Sequence, residues 1–340
     1  MKRYVGTFLG LAGLAALAFL CCGLISPDLR SPDHFAAIPL GADPSWYQNW
    51  NDLRRREIQD RDILYHNVGH SIEHAREADI IFIGHSMVLW GIRYDAMRDF
   101  AKKYRLKIFN LASAGDGSGE FLREVIKKWN IHPKLWIINV DDVGDNQFFV
   151  PKLADQGNSG TSSAENVVRT SRLRGTLNVY RRNVNWRIEL FLKQHLPVEL
   201  AAVLLPGPGD RTWRSITDGN WMLDQIGAYT AINTRTVAAA VPLACPSSSE
   251  NNQLAAQYLR DIGGRAVLTF FPNDRFCAQH VQEIADSVGV EALFTDKMDY
   301  TSHDGTHLDR RGATEFTRDF LDKLRKSRTF AEVFGQNRTD

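Results

Sequence analysis

Composition excludes several functional classes before any motif is considered. The chain of 340 residues has a formal net charge of only +1 at pH 7, with 44% hydrophobic and 24% charged residues. This lack of excess positive charge argues against nucleic-acid binding, which needs a basic patch or stripe facing the phosphates. The composition also fits neither a disordered chain nor a many-spanning membrane protein. No internal repeat, heptad run or low-complexity block is present.

Signatures of nucleotide and metal sites are missing as well. The glycine-rich segment 112–119 contains neither G-x-x-x-x-G-K-[ST] nor G-x-G-x-x-G, so it does not predict a nucleotide site. Asp141, Asp142 and Asp145 could together hold Mg²⁺ or Ca²⁺. A solvated turn is the interpretation we favour, because no histidine or glutamate pattern accompanies them. We therefore expect no cofactor and no metal.

Cysteine is scarce, with four residues in the whole chain. Cys21 and Cys22 lie in an apolar N-terminal segment. Cys245 and Cys277 are the other two. They could pair as a disulfide in an oxidising compartment or remain two separate buried thiols, and the sequence leaves both open.

One long apolar run is present, at residues 4–25, after Lys2 and Arg3. About 20 such residues suffice to cross the hydrocarbon core, and the preceding positive charges predict that the remainder is exported. We expect a signal-anchor transmembrane helix over 1–27, in the bacterial inner membrane with the main domain on the periplasmic side. A cleaved signal peptide is the alternative. The length of the run and the lack of an A-x-A site favour the anchor.

The remaining chain predicts an α/β domain. A linker and N-terminal helix are expected over 28–75, helical from about residue 46, and one domain over 76–340 with an insertion at about 151–246. Strands are predicted at 80–83, 107–111, 134–140, 266–271 and 291–294. Helices are predicted as one of about 15 residues ending at Tyr104, then at 120–129, 250–262, 276–288 and 311–325. This alternation predicts a three-layer α/β/α fold with a parallel sheet. In the insertion, Trp213 and Trp221 could help shape a groove for sugar rings.

Ser86 follows the first predicted strand after Gly84 breaks it. A serine at the carboxyl end of a parallel strand faces the crevice where open α/β sheets bind ligands. It also meets the positive end of the following helix, which favours an anionic form or ligand. This placement predicts a nucleophile. A plain helix N-cap is the alternative, since serine is common at that position.

Asp304 and His307 lie in a glycine-containing loop just before the last predicted helix. A serine needs a base to take its proton, and that base needs a group to hold its tautomer. The spacing allows one short segment to supply both, with His307 as the base and Asp304 as its orienting carboxylate. An ordinary Asp–Gly turn with an unrelated histidine is the alternative.

In this order the segments resemble the SGNH/GDSL hydrolase superfamily. Gly84-His85-Ser86 resembles its first block, the segment 110–116 its second, and Asp304-Gly-Thr-His307 its last. The resemblance implies a flavodoxin-like sheet with Ser86 as nucleophile. It also implies an oxyanion hole formed by the backbone N–H groups of Ser86 and Gly115.

Two positions depart from the family pattern. His85 replaces the aspartate of the first block, which is not the nucleophile. The third block should read G-x-N-D, but the chain reads N-V-D-D-V-G-D-N over 139–146. Asn146 could complete the oxyanion hole although it comes three residues late, and Asn139 and Asp141 are other possibilities.

The resemblance extends to anchored envelope proteins that O-acetylate polysaccharides. It implies acyl transfer or ester hydrolysis on a cell-envelope glycan through an acyl-serine, with a multi-spanning membrane acyltransferase as partner. The alternative is a non-catalytic glycan-binding or scaffolding module with the same fold, which the irregular third block favours. A lipid esterase or thioesterase is a third possibility.

Overall fold

The computed structural model describes several ranges of the chain. These are 46–51, 64–67, 70–113, 118–140, 148–149, 211–224, 235–236, 249–273, 278–297, 299–302 and 305–335. The strands in these ranges are β1 Trp46–Asn51, β2 Ile80–Ile83, β3 Ile108–Asn110, β4 Leu135–Asn139, β5 Arg211–Ser215, β6 Trp221–Asp224, β7 Arg235–Thr236, β8 Arg265–Thr269, β9 Glu291–Ala292 and β10 Thr301–Ser302. The helices are α1 Ser71–Arg76, α2 Ser86–Gly91, α3 Tyr94–Tyr104, α4 Ser118–Trp129, α5 Ser249–Ile262, α6 Ala278–Val288, α7 Arg310–Lys326 and α8 Arg328–Phe334.

The central sheet has five parallel strands in the order β3-β2-β4-β8-β9. Counted along the chain, this is the order 2-1-3-4-5. After β2 the chain adds β3 on one side of it, and then adds β4, β8 and β9 on the other side. Such a switch point opens a crevice at the carboxyl ends of the strands, where α/β sheets bind their ligands. Ser86 follows β2 and so lies at this crevice.

Helices cover both faces of the sheet because its strands are apolar on both sides. In β2, Ile81 and Ile83 join the core under α1, α4, α5 and α6. Ile80 and Phe82 join the core under α2, α3, α7 and α8. All four residues are fully buried. Continuous apolar strands of this kind are typical of parallel sheets buried on both faces. The predicted α/β class with a parallel sheet is confirmed.

A second, antiparallel sheet has the order β1-β5-β6 and lies beside β3. The turn between β5 and β6 is docked on the end of β3 by the main chain. The N–H of Asn110 donates to the carbonyl of Asp218 at 2.8 Å. The buried Arg214 guanidinium donates in turn to the carbonyl of Asn110 at 2.8 Å. Part of the predicted insertion is thereby attached to the carboxyl edge of the main sheet.

The main elements agree with the predicted ones to within a few residues at each end, while two predictions are wrong. The expected helix from residue 46 begins instead as β1, because aromatic residues such as Trp46, Tyr47 and Trp50 favour strands. The expected single helix ending at Tyr104 is two helices. The break falls at Ile92 and Arg93, which have extended backbones. The helix α8 was not predicted.

The predicted anchor and most of the predicted insertion are outside these ranges. Residues 1–45, which include the predicted transmembrane helix and part of the linker, lie outside the described residues, as do 151–210. In the part of the chain that the structure describes, no helix has the length and apolarity needed to cross a membrane.

Candidate active site

Ser86 is the first residue of α2, directly beyond the carboxyl end of β2. Gly84 permits this sharp turn from strand to helix. A Cβ there would lie 2.5 Å from a methyl carbon of Val88 and 2.8 Å from the Cβ of Asn139. The strand before Ser86 is fully buried, while Ser86 itself is partly exposed. Its hydroxyl is therefore held at the crevice by a rigid strand and a tightly packed glycine.

His307 is held in a short loop between β10 and α7. The hydroxyl of the buried Ser302 donates to the carbonyl of His307 at 2.6 Å and accepts from the N–H of Gly305 at 2.8 Å. Gly305 has a φ of +86°, a conformation that L side chains rarely adopt. The side chain of Ser302 thus fixes the main chain on both sides of Thr306.

The two ends of this loop are anchored to α7. Asp309 caps the helix by accepting from the N–H of Gly312 at 2.8 Å, and the same oxygen accepts from the Thr301 hydroxyl at 2.6 Å. Before β10, the hydroxyl of Tyr300 donates to Asp319 at 2.9 Å. Burial raises the pKa of Tyr300, so this phenol remains a neutral donor at physiological pH.

Ser86 and His307 meet across the crevice although they are 221 positions apart in the chain, with 2.9 Å between the serine Oγ and the imidazole Nε2. The serine hydroxyl can donate to Nε2 when the ring carries its own proton on Nδ1. This is the arrangement in which a histidine can take the proton of a serine nucleophile.

The third strand of the crevice ends in a buried amide. Asn139 is the last residue of β4 and is 1% exposed. Its Oδ1 accepts from the N–H of Phe271 at 2.8 Å. Its Nδ2 has no hydrogen-bond partner among the described residues. The Asn139 side chain packs against Gly84, two residues before Ser86. It thus brings a buried N–H donor close to the start of α2.

Two tryptophans form an aromatic wall next to His307. The ring centroid of Trp90 lies 5.4 Å from that of His307 and 6.3 Å from that of Trp221. Trp221 begins β6 and reaches the crevice because the hairpin is docked on β3. Sequence reasoning proposed Trp221 for a groove on its position in the insertion and did not single out Trp90. The spacing of four residues between Ser86 and Trp90 on one helix could have indicated it.

Several residues predicted from sequence are outside the described part of the chain. These are Asp304, Gly115, Asn146, Asp141, Asp142, Asp145, Cys245 and Cys277. Of the predicted catalytic residues, the structure brings Ser86 and His307 together. Within the described ranges, no group of three His, Cys, Asp or Glu residues is placed to hold a metal ion.

Comparison of the chain with protein families, with curated proteins and with solved structures finds no match.

Proposed function

We propose that this protein is a serine-dependent enzyme that transfers or hydrolyses acyl groups of esters. The observation that carries the proposal is the 2.9 Å contact between Ser86 Oγ and His307 Nε2. At this distance His307 can act as the base for Ser86. A serine needs such a base for nucleophilic attack, because its hydroxyl has a high pKa. The location at the switch point of the sheet adds support, because ligands of such folds bind there.

In the proposed reaction His307 Nε2 takes the proton of Ser86 while the serine oxygen attacks the ester carbonyl. The tetrahedral intermediate collapses, the bond to the alcohol oxygen breaks, and His307 returns the proton to that oxygen. The acyl-serine is then attacked by water or by a second alcohol, with His307 again taking and returning one proton. Hydrolysis and transfer share this intermediate, so both remain within the proposal.

Two oxyanion donors are proposed from the main chain, the N–H groups of Ser86 and Gly115. For the side-chain donor we propose Asn139 ahead of Asn146. The Asn139 amide is buried beside Gly84, and its Nδ2 is without a hydrogen-bond partner in the described part of the chain. Buried donors are nearly always paired, and a developing oxyanion could supply this partner.

The proposed fold is SGNH-like with a flavodoxin-type sheet. The strand order 2-1-3-4-5 supports it. The placement of Ser86 after the first sheet strand and of His307 before α7 supports it as well. Asp304 is proposed to orient His307. A transmembrane anchor over 1–27 and export to the periplasm remain part of the proposal on sequence grounds.

An O-acylated glycan of the cell envelope is the proposed substrate, with a multi-spanning acyltransferase as a possible donor. The resemblance to anchored O-acetylating proteins supports this choice. The rival proposal is a non-catalytic glycan-binding module, which the irregular third block favours. The two are distinguished by whether Ser86 becomes acylated.

The test is intact-protein mass spectrometry of the full-length protein after incubation with p-nitrophenyl acetate. We expect a mass gain of one acetyl group that is absent in Ser86→Ala and formed slowly in His307→Ala. Ser287→Ala is the matched control and should be acetylated like the wild type. No adduct in the wild type, or an adduct that persists in Ser86→Ala, would overturn the proposed function.

A further inference from the structure

The exposure of α2 singles out one residue besides the proposed nucleophile. Met87, Val88, Leu89 and Gly91 are buried, whereas Ser86 and Trp90 are partly exposed. Residues four positions apart lie on the same face of a helix. A substrate that reaches the Ser86 hydroxyl along this face therefore passes over the indole of Trp90.

The indole of Trp90 is held in place from two sides. The His307 ring lies at 5.4 Å and is tilted by 47°, and the Trp221 ring lies at 6.3 Å and is tilted by 58°. Trp221 is only 8% exposed. Because Trp221 belongs to the hairpin docked on β3, it holds the Trp90 indole in place. A rigid aromatic surface loses little conformational entropy when a ligand stacks on it.

We propose that Trp90 is a specificity-determining residue that stacks against a sugar ring in the alcohol part of the ester. This inference rests on the proposed function. His307 must deliver a proton to the departing alcohol oxygen, so the alcohol part lies on the His307 side of Ser86. Trp90 lies on that side. The C–H groups on one face of a pyranose carry partial positive charge, which the negative face of an indole attracts.

An acyl chain is a less suitable occupant of this surface. The acyl carbonyl must point its oxygen at the proposed oxyanion donors, of which the structure describes Ser86 and Asn139. The N–H of Asn139 approaches the start of α2 from β4, and Trp90 lies one helical turn further along. On this geometry Trp90 contacts the alcohol part of the ester rather than the acyl part. The substrate class is then an acylated carbohydrate.

The test compares two acetate esters of primary alcohols that differ only in the sugar ring, methyl 6-O-acetyl-α-D-glucopyranoside and ethyl acetate. The readout is the ratio of kcat/KM for the sugar ester to that for ethyl acetate, measured on the full-length protein. We expect Trp90→Leu to lower this ratio about tenfold, as expected for loss of one aromatic stacking partner. Trp90→Phe should retain part of the preference. Trp129→Leu, a partly buried tryptophan at the end of α4, is the matched control and should keep the wild-type ratio.

Three outcomes would overturn the assignment. Trp90→Leu could reduce both esters equally, which indicates a structural role. It could leave kcat/KM unchanged for both esters. It could alter selectivity between acetyl and butyryl esters of one alcohol while sparing the sugar preference, which would place the acyl group on the indole.

A binding measurement without turnover distinguishes failure of the Trp90 inference from failure of the proposed function. Calorimetry of the Ser86→Ala protein with methyl 6-O-acetyl-α-D-glucopyranoside needs no turnover. Saturable binding that weakens about tenfold on addition of Trp90→Leu supports the sugar site even if no acyl-serine forms. Binding that is absent, or unchanged by Trp90→Leu, contradicts it.

Discussion

The hydroxyl of Ser302 lies 2.6 Å from the main-chain carbonyl oxygen of His307 and donates to it. The Ser302 hydroxyl oxygen also accepts from the N–H of Gly305, so one buried side chain contacts the main chain on both sides of Thr306, next to the proposed base. Reacting groups in enzymes must be held within a fraction of an ångström, and a displacement of 1 Å can cost about 10²-fold in rate. The position of His307 is therefore supported by a residue that is itself fully buried.

The first prediction concerns Ser302→Ala. We expect acylation of Ser86 to slow by about 10- to 100-fold, because the imidazole is no longer held at 2.9 Å from the serine. We also expect the free energy of unfolding to fall by about 1–2 kcal/mol, since the hydrogen bonds to the His307 carbonyl and from the Gly305 N–H are both lost. The measurements are the time course of adduct formation by mass spectrometry and urea denaturation followed by circular dichroism.

Ser287→Ala is the control for this prediction. The Ser287 hydroxyl donates to the carbonyl of Ile284 at 2.8 Å at the end of α6, on the other side of the sheet. Ser287 is exposed, so its removal should change stability by less than about 0.5 kcal/mol and leave the acylation rate unchanged. Wild-type acylation in Ser302→Ala would mean that other contacts position His307.

A second prediction concerns Thr317, which joins α7 to the break between α2 and α3. Its Oγ1 accepts from the N–H of Arg93 at 2.9 Å and lies 2.9 Å from the carbonyl of Gly91 and 2.7 Å from that of Ala313. We expect Thr317→Val to lower the free energy of unfolding by about 1–3 kcal/mol, because it leaves the Arg93 N–H buried and unpaired. Urea denaturation is the measurement. Thr314→Val removes an exposed hydroxyl from the same helix and should change stability by less than about 0.5 kcal/mol.

The break between α2 and α3 also shows where sequence reasoning reaches its limit. The strands β2 and β4 are predictable because their apolar runs have a local signature, and all of their residues are buried. Gly91 is a general helix-stop signal, but the sequence does not show which contact holds the break. The Thr317 hydroxyl that bonds the Gly91 carbonyl is 226 positions away. Contacts between distant segments are not encoded in any local pattern.

In the candidate site, too, some contacts could be predicted from the sequence and others could not. The contact between Ser86 and His307 could be anticipated because each residue has a recognisable position relative to a strand or helix. The position of Trp90 on the Ser86 face of α2 could be anticipated too. Its contact with Trp221 in the aromatic wall could not. It requires the hairpin of β5 and β6 to dock on Asn110 through Arg214, and this docking determines which tryptophan reaches the crevice.

A third prediction concerns Gly312, in the first turn of α7. Alanine has a higher helix propensity than glycine by about 1 kcal/mol, which alone predicts a more stable protein. The structure predicts the opposite, because a Cβ at this position would lie 2.0 Å from the carbonyl oxygen of Thr301. We expect Gly312→Ala to lower the melting temperature and to slow acylation by moving the adjoining His307 loop. Gly335→Ala meets no close atom and has a helical backbone, so it should be neutral or slightly stabilising.

A fourth prediction concerns the pH dependence of stability at Glu315. The hydrogen bond from Lys297 at 2.6 Å, and then that from Arg311 at 3.0 Å, hold the pKa of Glu315 below its ordinary value of 4.5. The charged carboxylate thus stabilises the fold above that ordinary value, and its contribution is lost as the pH falls through the lowered pKa. We expect wild type and Glu315→Gln to differ by less than about 1 kcal/mol at pH 7, because the pair is partly exposed. The difference should shrink towards pH 3, as measured by urea denaturation at each pH. A difference that grows on acidification would contradict the lowered pKa.

The last prediction distinguishes the two candidate side-chain donors to the oxyanion. If the Asn139 Nδ2 stabilises the tetrahedral intermediate, Asn139→Ala should slow acylation by about 10²–10³-fold. This variant also loses the acceptor for the Phe271 N–H, so a slow rate alone could reflect a disturbed fold. Asn139→Asp keeps an oxygen acceptor for that N–H and replaces the amide donor, and we expect it to be slow as well. Asn146→Ala should acylate at close to the wild-type rate. The opposite result, with Asn146→Ala slow and Asn139→Asp fast, would assign the donor to Asn146, as the resemblance to the SGNH/GDSL pattern implies. Circular dichroism of each variant ensures that only folded proteins are compared.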